Sequence, residues 1–149
     1  MKSWTFKHYN ELSLDELYLI LKIRQEIFIV EQNCSYLDAD NLDKTARHLM
    51  GYKDGELIAY MRVVAANQIY KTISFGRILV KDKFRKSGVG RELMKEAITL
   101  FPKNEVITMS AQVYLKQFYK EFNFEPVGQE YLEDGIPHIK MIRNGNNLL

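Results

Sequence analysis

The spacing of apolar residues changes several times along the chain, and each change marks an element. Trp4–His8 alternates weakly, as a half-buried strand does. Ser13-Leu14-Asp15-Glu16 has the form of a capping box, in which the serine caps a helix and Glu16 reaches back to it. Leu14, Leu17, Tyr18, Leu21 and Phe28 then follow at helical spacing. The polar stretch Glu31–Arg47 predicts a long loop with a short helix in it. His48–Lys53 and Glu56–Ala65 read as two strands joined at Asp54-Gly55, a strong hairpin signal, and Ile73–Val80 is a third, β-branched and apolar. A helix is predicted over Gly88–Phe101, with Leu93, Met94, Ala97, Ile98 and Phe101 on one face and Pro102 at its end. Glu105–Ala111 reads as a strand, Val113–Phe122 as a helix, and Val127–Leu132 with His138–Ile142 as a closing pair around Glu133-Asp134-Gly135. From Asn144 onward a frayed tail is expected.

This order predicts an α/β fold of mixed topology, with helices covering a central sheet, and it excludes strict Rossmann alternation. No repeat, low-complexity tract or linker interrupts it, and 149 residues suit a single domain over 1–149. The formal net charge of +2 is too small for a general nucleic-acid or membrane binder, so neither partner is expected. The lone Cys34 cannot form an internal disulfide, Met1–Asn10 lacks the pattern of a signal peptide, and no apolar run is long enough to span a membrane. The expected location is cytoplasmic.

The chemistry concentrates between Ile78 and Leu93. The strand end Ile78-Leu79-Val80 runs into Lys81-Asp82-Lys83-Phe84-Arg85-Lys86-Ser87-Gly88-Val89-Gly90-Arg91, where five basic residues face one acid and two glycines sit at a helix start. Unpaired backbone N–H groups at a helix N-terminus favour an anion, and glycine lets a phosphate approach the backbone. Two phosphate loops are excluded: a Rossmann fingerprint needs glycine where Leu93 stands, and a Walker loop needs Gly-Lys-Ser/Thr.

Arg85-Lys86-Ser87-Gly88-Val89-Gly90 resembles the Arg/Gln-x-x-Gly-x-Gly/Ala motif of GNAT N-acetyltransferases. A second block, Ala111-Gln112 followed by Phe118-Tyr119-Lys120-Glu121-Phe122-Asn123-Phe124, is similar to that family's downstream block, with Asn123 where glycine is usual. Asparagine is the next best residue at a left-handed helix terminus. The segment Arg24–Cys34, with Tyr36, Asp38, Asp40, His48 and Glu133–Ile139, resembles the ElaA-type branch, and the likeness covers residues 1–143. Asn41-Leu42 departs from that branch, which more often has a glycine there.

The resemblance implies a GNAT-like sheet of six to seven mostly antiparallel strands flanked by about four helices. It implies acetyl-CoA as cosubstrate, held by Ile78, Leu79, Val80, Arg85, Lys86, Ser87, Gly88, Val89, Gly90, Arg91, Gln112 and Phe118. It also implies direct acetyl transfer to a primary amine of a small-molecule or peptide acceptor, with Tyr119 as general acid toward the departing thiolate. Packing of Tyr119 against Phe118 and Phe122 is the alternative. Glu31, His48 and His138 are the candidate bases, each able to take a proton directly or through water. Asp38, Asp40 and Asp43 read either as an attractor for a cationic acceptor or as a solvated loop face. No metal is expected: these aspartates do not fit an EF-hand loop, and His8, Cys34, His48 and His138 lack zinc-finger spacing. Glu31–Arg47 and Glu133–His138 are the expected walls of the acceptor site, and the C-terminal edge strand is a surface through which a homodimer would form. A non-catalytic acyl-CoA-binding sensor and a basic-patch interaction domain are the rival readings.

Overall fold

The computed structural model describes residues 2–145. Seven strands form one sheet: β1 (Lys2–His8), β2 (Arg47–Lys53), β3 (Glu56–Val64), β4 (Ile73–Val80), β5 (Val106–Gln112), β6 (Phe124–Glu133) and β7 (Ile136–Asn144), in the order β1-β2-β3-β4-β5-β7-β6. Every neighbouring pair is antiparallel except β4 and β5. The α-helices are α1 (Leu14–Arg24), α2 (Val89–Thr99) and α3 (Lys116–Lys120). Among the described residues that is three where about four were expected, because the remaining helical pieces are single 3₁₀ turns and a π-helical continuation of α1 over Gln25–Glu31. The helix expected over Val113–Phe122 divides into a 3₁₀ turn, Val113–Leu115, and the short α3.

Local chemistry explains most boundaries. Ser13 accepts from the Glu16 amide at 3.0 Å, and Glu16 accepts from the Ser13 amide at 2.8 Å, which closes the capping box. The β2–β3 turn places Asp54 and Gly55 at φ 49° and 83°, the left-handed pair that a tight hairpin requires. Asn123, which follows α3, lies at φ 68°.

Two apolar clusters flank the sheet. Leu49, Met61, Val63 and Phe75 pack with Leu93, Met94 and Ala97 of α2. Met50, Leu57, Tyr60 and Leu79 pack with Ile20, Ile23 and Ile27 of α1 and its continuation. The α1 face is a correction to the sequence reading: Leu14 and Tyr18 are 86% and 67% exposed, and the buried side carries Ile20, Ile23, Arg24 and Ile27. Asn144, where a frayed tail was expected to begin, is still in β7; residues 146–149 of that expected tail lie outside the described residues. Among the described residues no helix is long and apolar enough to cross a membrane.

Candidate active site

The parallel strands β4 and β5 are paired only through Ile73–Ile107 and Ser74–Thr108, at one end of the pair. Beyond those residues they separate, and a cleft of about 580 Å³ opens. β4 contributes Ile78, Leu79 and Val80 to its walls, and the π-helical segment contributes Ile27, Phe28 and Glu31. Leu115, Phe118 and Tyr119 close it from the α3 side.

The loop between β4 and α2 forms the cleft's mouth. Lys86 and Gly88 are left-handed, at φ 62° and 89°. The Glu92 amide donates to the Gly88 carbonyl at 3.1 Å, so the amides of Val89, Gly90 and Arg91 precede any bond that α2 itself can supply. Such amides, with the helix dipole behind them, make an anion site. Gly90 does not need left-handed freedom. A β-carbon there would meet Phe118 at 3.6 Å and Val80 at 3.9 Å, ordinary contacts, so its missing side chain serves to keep the cleft floor low.

The basic residues around this mouth are mostly paired already. Lys81 and Lys83 reach Glu56 at 2.9 and 3.3 Å. Arg85 contacts Glu31 at 2.7 Å and donates from Nε to the Val80 carbonyl at 2.8 Å, while Arg91 pairs with Glu121. Lys86 lines the cleft without an ion pair among the described residues. An anion placed at the mouth would therefore meet the backbone amides first and Lys86 second. Of the expected loop residues, Ser87 and Val89 do not line the cleft. The Ser87 hydroxyl donates to the Phe84 carbonyl, and Val89 is buried in the α2 core.

A second cavity, of about 200 Å³, adjoins the first. Its walls include Gln32, Cys34 and Tyr36 from the long loop and Glu133, Asp134, Ile136 and His138 from the β6–β7 hairpin. Phe28, Gln32, Ile78, Gln112, Leu115 and Tyr119 line both cavities. Tyr119 is 5% exposed and packs edge-on against Phe118 and Phe124. Burial, with a smaller contribution from Tyr114, pushes its phenol above the ordinary value.

The three candidate bases occupy different settings. His48 is 1% exposed and lines neither cavity. Its Nδ1 lies 2.6 Å from the Tyr60 hydroxyl and its Nε2 lies 3.0 Å from the Asp43 carbonyl, and burial lowers its pKa. With both ring nitrogens engaged inside the fold, His48 is a structural hydrogen-bonding residue, which corrects its place among the bases. Glu31 stands at the cleft and is paired with Arg85. His138 lines the second cavity. Its Nδ1 lies 2.7 Å from the Ile136 carbonyl, which can only accept, so that nitrogen carries the hydrogen, and Nε2 faces Glu133 at 3.3 Å.

Asp38, Asp40 and Asp43 meet neither sequence reading. Asp38 and Asp43 are each 7% exposed, and all three join Arg24, Arg62 and Arg77 in one network. Hydrophobic spacing cannot reveal a fully buried arginine whose partners lie in a distant loop. Nor did residue type alone indicate Ile27, Phe28 and Gln32 as cleft residues; the one signal was their place inside the block Arg24–Cys34 that resembles the ElaA branch.

The sequence matches the model of the GNAT acetyltransferase domain over residues 24–144. Protein ElaA of Escherichia coli K12 is 40% identical over 148 residues, which cover 96% of this chain and 97% of that protein. The crystal structure of Escherichia coli ElaA superimposes with a TM-score of 0.90 at 38% identity, covering 97% of this chain and all of that one (100%). An acyl-CoA N-acyltransferase from Pseudomonas aeruginosa gives a TM-score of 0.90 at 37% identity, covering 96% and 99% of the two chains. With its splayed β4–β5 pair and amide-lined helix start, the chain belongs to the GNAT acetyltransferase family, on the branch that includes ElaA.

Proposed function

We propose that this chain is an acetyl-CoA-dependent N-acetyltransferase, acting as one domain on a primary amine of a small-molecule or peptide acceptor. The observation that carries the proposal is the meeting of two cavities at Tyr119, one opening to an amide-lined helix start and the other walled by polar hairpin and loop residues. The residues present fit coenzyme A. The amides of Gly90 and Arg91, with Lys86, would hold its pyrophosphate. Ile78, Leu79 and Val80 would lie along the pantetheine arm, and Phe118 and Gln112 opposite them. Bound there, acetyl-CoA supplies an activated acyl group in the form of a thioester.

The chain's own groups then have separable tasks. The polar cavity would receive the amine, and its size suits an acceptor that presents a narrow end. His138, with its Nδ1 hydrogen held by Ile136, directs Nε2 toward Glu133, so the pair can take the amine's proton directly or through water. Glu31 is the second candidate, once its contact with Arg85 is released. The thioester oxygen needs a donor as negative charge grows on it. Ile78 has no partner in the register of either neighbouring strand and lines both cavities, so its backbone N–H would be the donor placed for that task. Tyr119 would give a proton to the departing thiolate. Its raised pKa makes it a weak acid, so transfer requires a thiolate that is itself poorly solvated, as one emerging between Phe118 and Leu115 would be.

Calorimetry with acetyl-CoA tests the first half of the proposal, comparing the wild type with Gly90→Val. The expected result is binding by the wild type, weakened at least about tenfold in the variant, because a branched side chain would stand on the cleft floor. Mass spectrometry of an amine panel incubated with protein and acetyl-CoA tests the second half, and a gain of one acetyl group on an amine is expected. Binding without transfer to any amine would favour the sensor reading. No binding by the wild type would overturn both.

A further inference from the structure

We infer that Asp38 is a positioning residue that fixes a bulge in β4 at the junction of the two cavities, acting through Arg77. Its catalytic consequence rests on the acyl-transfer reading above; its geometry does not. Between β3 and β4, Arg62 is opposite Gly76 and Tyr60 is opposite Leu79, so two residues of β4, Arg77 and Ile78, stand against one of β3. This is a β-bulge, which redirects the backbone where it occurs. Arg77 sits at φ 50°, a left-handed conformation that a residue with a β-carbon adopts only against steric resistance. Something must hold it there, because an arginine has no intrinsic preference for it.

The side chain of Arg77 supplies the hold. Its Nε donates to Asp38 Oδ1 at 2.8 Å and its Nη2 to the Asp38 carbonyl at 3.1 Å. Asp38 is anchored from the opposite side by Arg24, whose Nε donates to Oδ2 at 2.7 Å and whose Nη2 donates to the same carbonyl at 3.1 Å. Tyr36 adds a hydroxyl donor to Oδ1 at 3.3 Å. Arg24 is wholly buried where α1 passes into its π-helical continuation, the segment that carries Ile27, Phe28 and Glu31 into the cleft wall. One carboxylate thus joins the helical wall of the cleft to the strand wall, at the level where Ile78 lines both cavities. An ordinary stabilising ion pair would not need to act on a strained backbone position. Here the strained residue and a residue that lines both cavities are adjacent in sequence.

Glycine separates this role from simple stabilisation, because it adopts φ 50° without a side chain to hold it. The test uses the full chain and the variants Arg77→Ala, Arg77→Gly and Asp38→Asn, with the double variant Asp38→Asn/Arg77→Gly. Arg77 is the safer starting point, since its side chain is 24% exposed whereas Asp38→Asn leaves Arg24 short of a buried partner. The readouts are the NMR amide shift of Ile78 taken relative to its random-coil value in each sequence, which removes the neighbour effect of residue 77 and needs no activity, and kcat against KM for acetyl-CoA with a working acceptor. Arg77→Ala should move the Ile78 shift and lower kcat at least about tenfold while KM for acetyl-CoA stays within about twofold. Arg77→Gly should keep the wild-type shift and recover most of kcat, and in the double variant glycine should rescue Asp38→Asn on both readouts. A wild-type Ile78 shift in Arg77→Ala would overturn the inference. So would an Arg77→Gly variant with a wild-type shift and the low kcat of the alanine variant, because the arginine side chain would then act on substrate. If the wild type transfers no acyl group, the acyl-transfer reading fails while the Ile78 shift still decides the positioning role.

Discussion

Two glycines two positions apart do different work, and single substitutions distinguish them. Gly88 is at φ 89°, with open space where a β-carbon would stand, so Gly88→Ala is opposed by backbone strain alone. It should lower stability by about 1 kcal/mol, read as a small fall in Tm. Gly90 has no such strain and its β-carbon contacts are ordinary, so Gly90→Val should leave Tm nearly unchanged and act on cofactor binding alone. Tyr119 permits an equally clean separation. Its hydroxyl has no hydrogen-bond partner among the described residues, so Tyr119→Phe removes a proton donor and little packing. The expected outcome is an unchanged Kd for acetyl-CoA, an unchanged Tm and a kcat lower by about 10²-fold. An unchanged kcat would return Tyr119 to a packing role beside Phe118 and Phe124.

At the scale of elements, what could be read from sequence followed from how local each determinant is. The capping box at Ser13–Glu16, the Asp54-Gly55 turn, the limits of β4 and the buried face of α2 are each fixed by residues close together in sequence, and each formed as expected. The turn into α2 was legible for the same reason, since a glycine at a helix start has a local meaning. The face of α1 was not. Its inward side includes Arg24, a residue that pattern reading assigns to solvent, and the helix runs into a π-helical segment that shifts later residues out of the 3.6-residue period. The partners of Arg24 come from residues 38 and 43, in a loop whose own composition reads as solvated. His48 was misplaced for a related reason: a histidine in sequence shows nothing of whether its nitrogens face a cavity or, as here, Tyr60 and a loop carbonyl. These assignments imply opposite responses along one helix. Leu14→Asp, at an exposed site, should change stability by less than about 0.5 kcal/mol. Ile23→Ala, at a site 4% exposed, should cost about 2–4 kcal/mol by denaturant unfolding.

For the whole molecule, the buried network makes acid the condition that loosens the fold and the site together. Burial alone would raise the carboxyl pKa of Asp40 and of Asp43, but hydrogen bonds and charge from Arg62, joined by Arg77 at Asp40 and by Arg24 at Asp43, outweigh it and hold both below the ordinary carboxylate value. A carboxyl group with a depressed folded pKa stabilises the fold above its unfolded pKa of about 3.9, and that contribution is lost as pH falls through the folded value. His48 acts in the same direction from a higher pH. Burial lowers its pKa, so the unfolded chain takes up the proton first, and stability begins to fall as pH drops below about 6.5. The expected Tm profile therefore declines in two stages on acidification, a shallow one below about pH 6.5 and a steeper one below about pH 4. His48→Gln should remove the first stage and leave the second. The network spans α1, the 31–47 loop, β3 and the β4 bulge, so the second stage should carry the Ile78 amide shift with it. A Tm independent of pH between 7 and 5 in the wild type would show that His48 titrates alike in the folded and unfolded chains. The buried setting between Tyr60 and the Asp43 carbonyl argues against that result, because an imidazolium there would have to form without water.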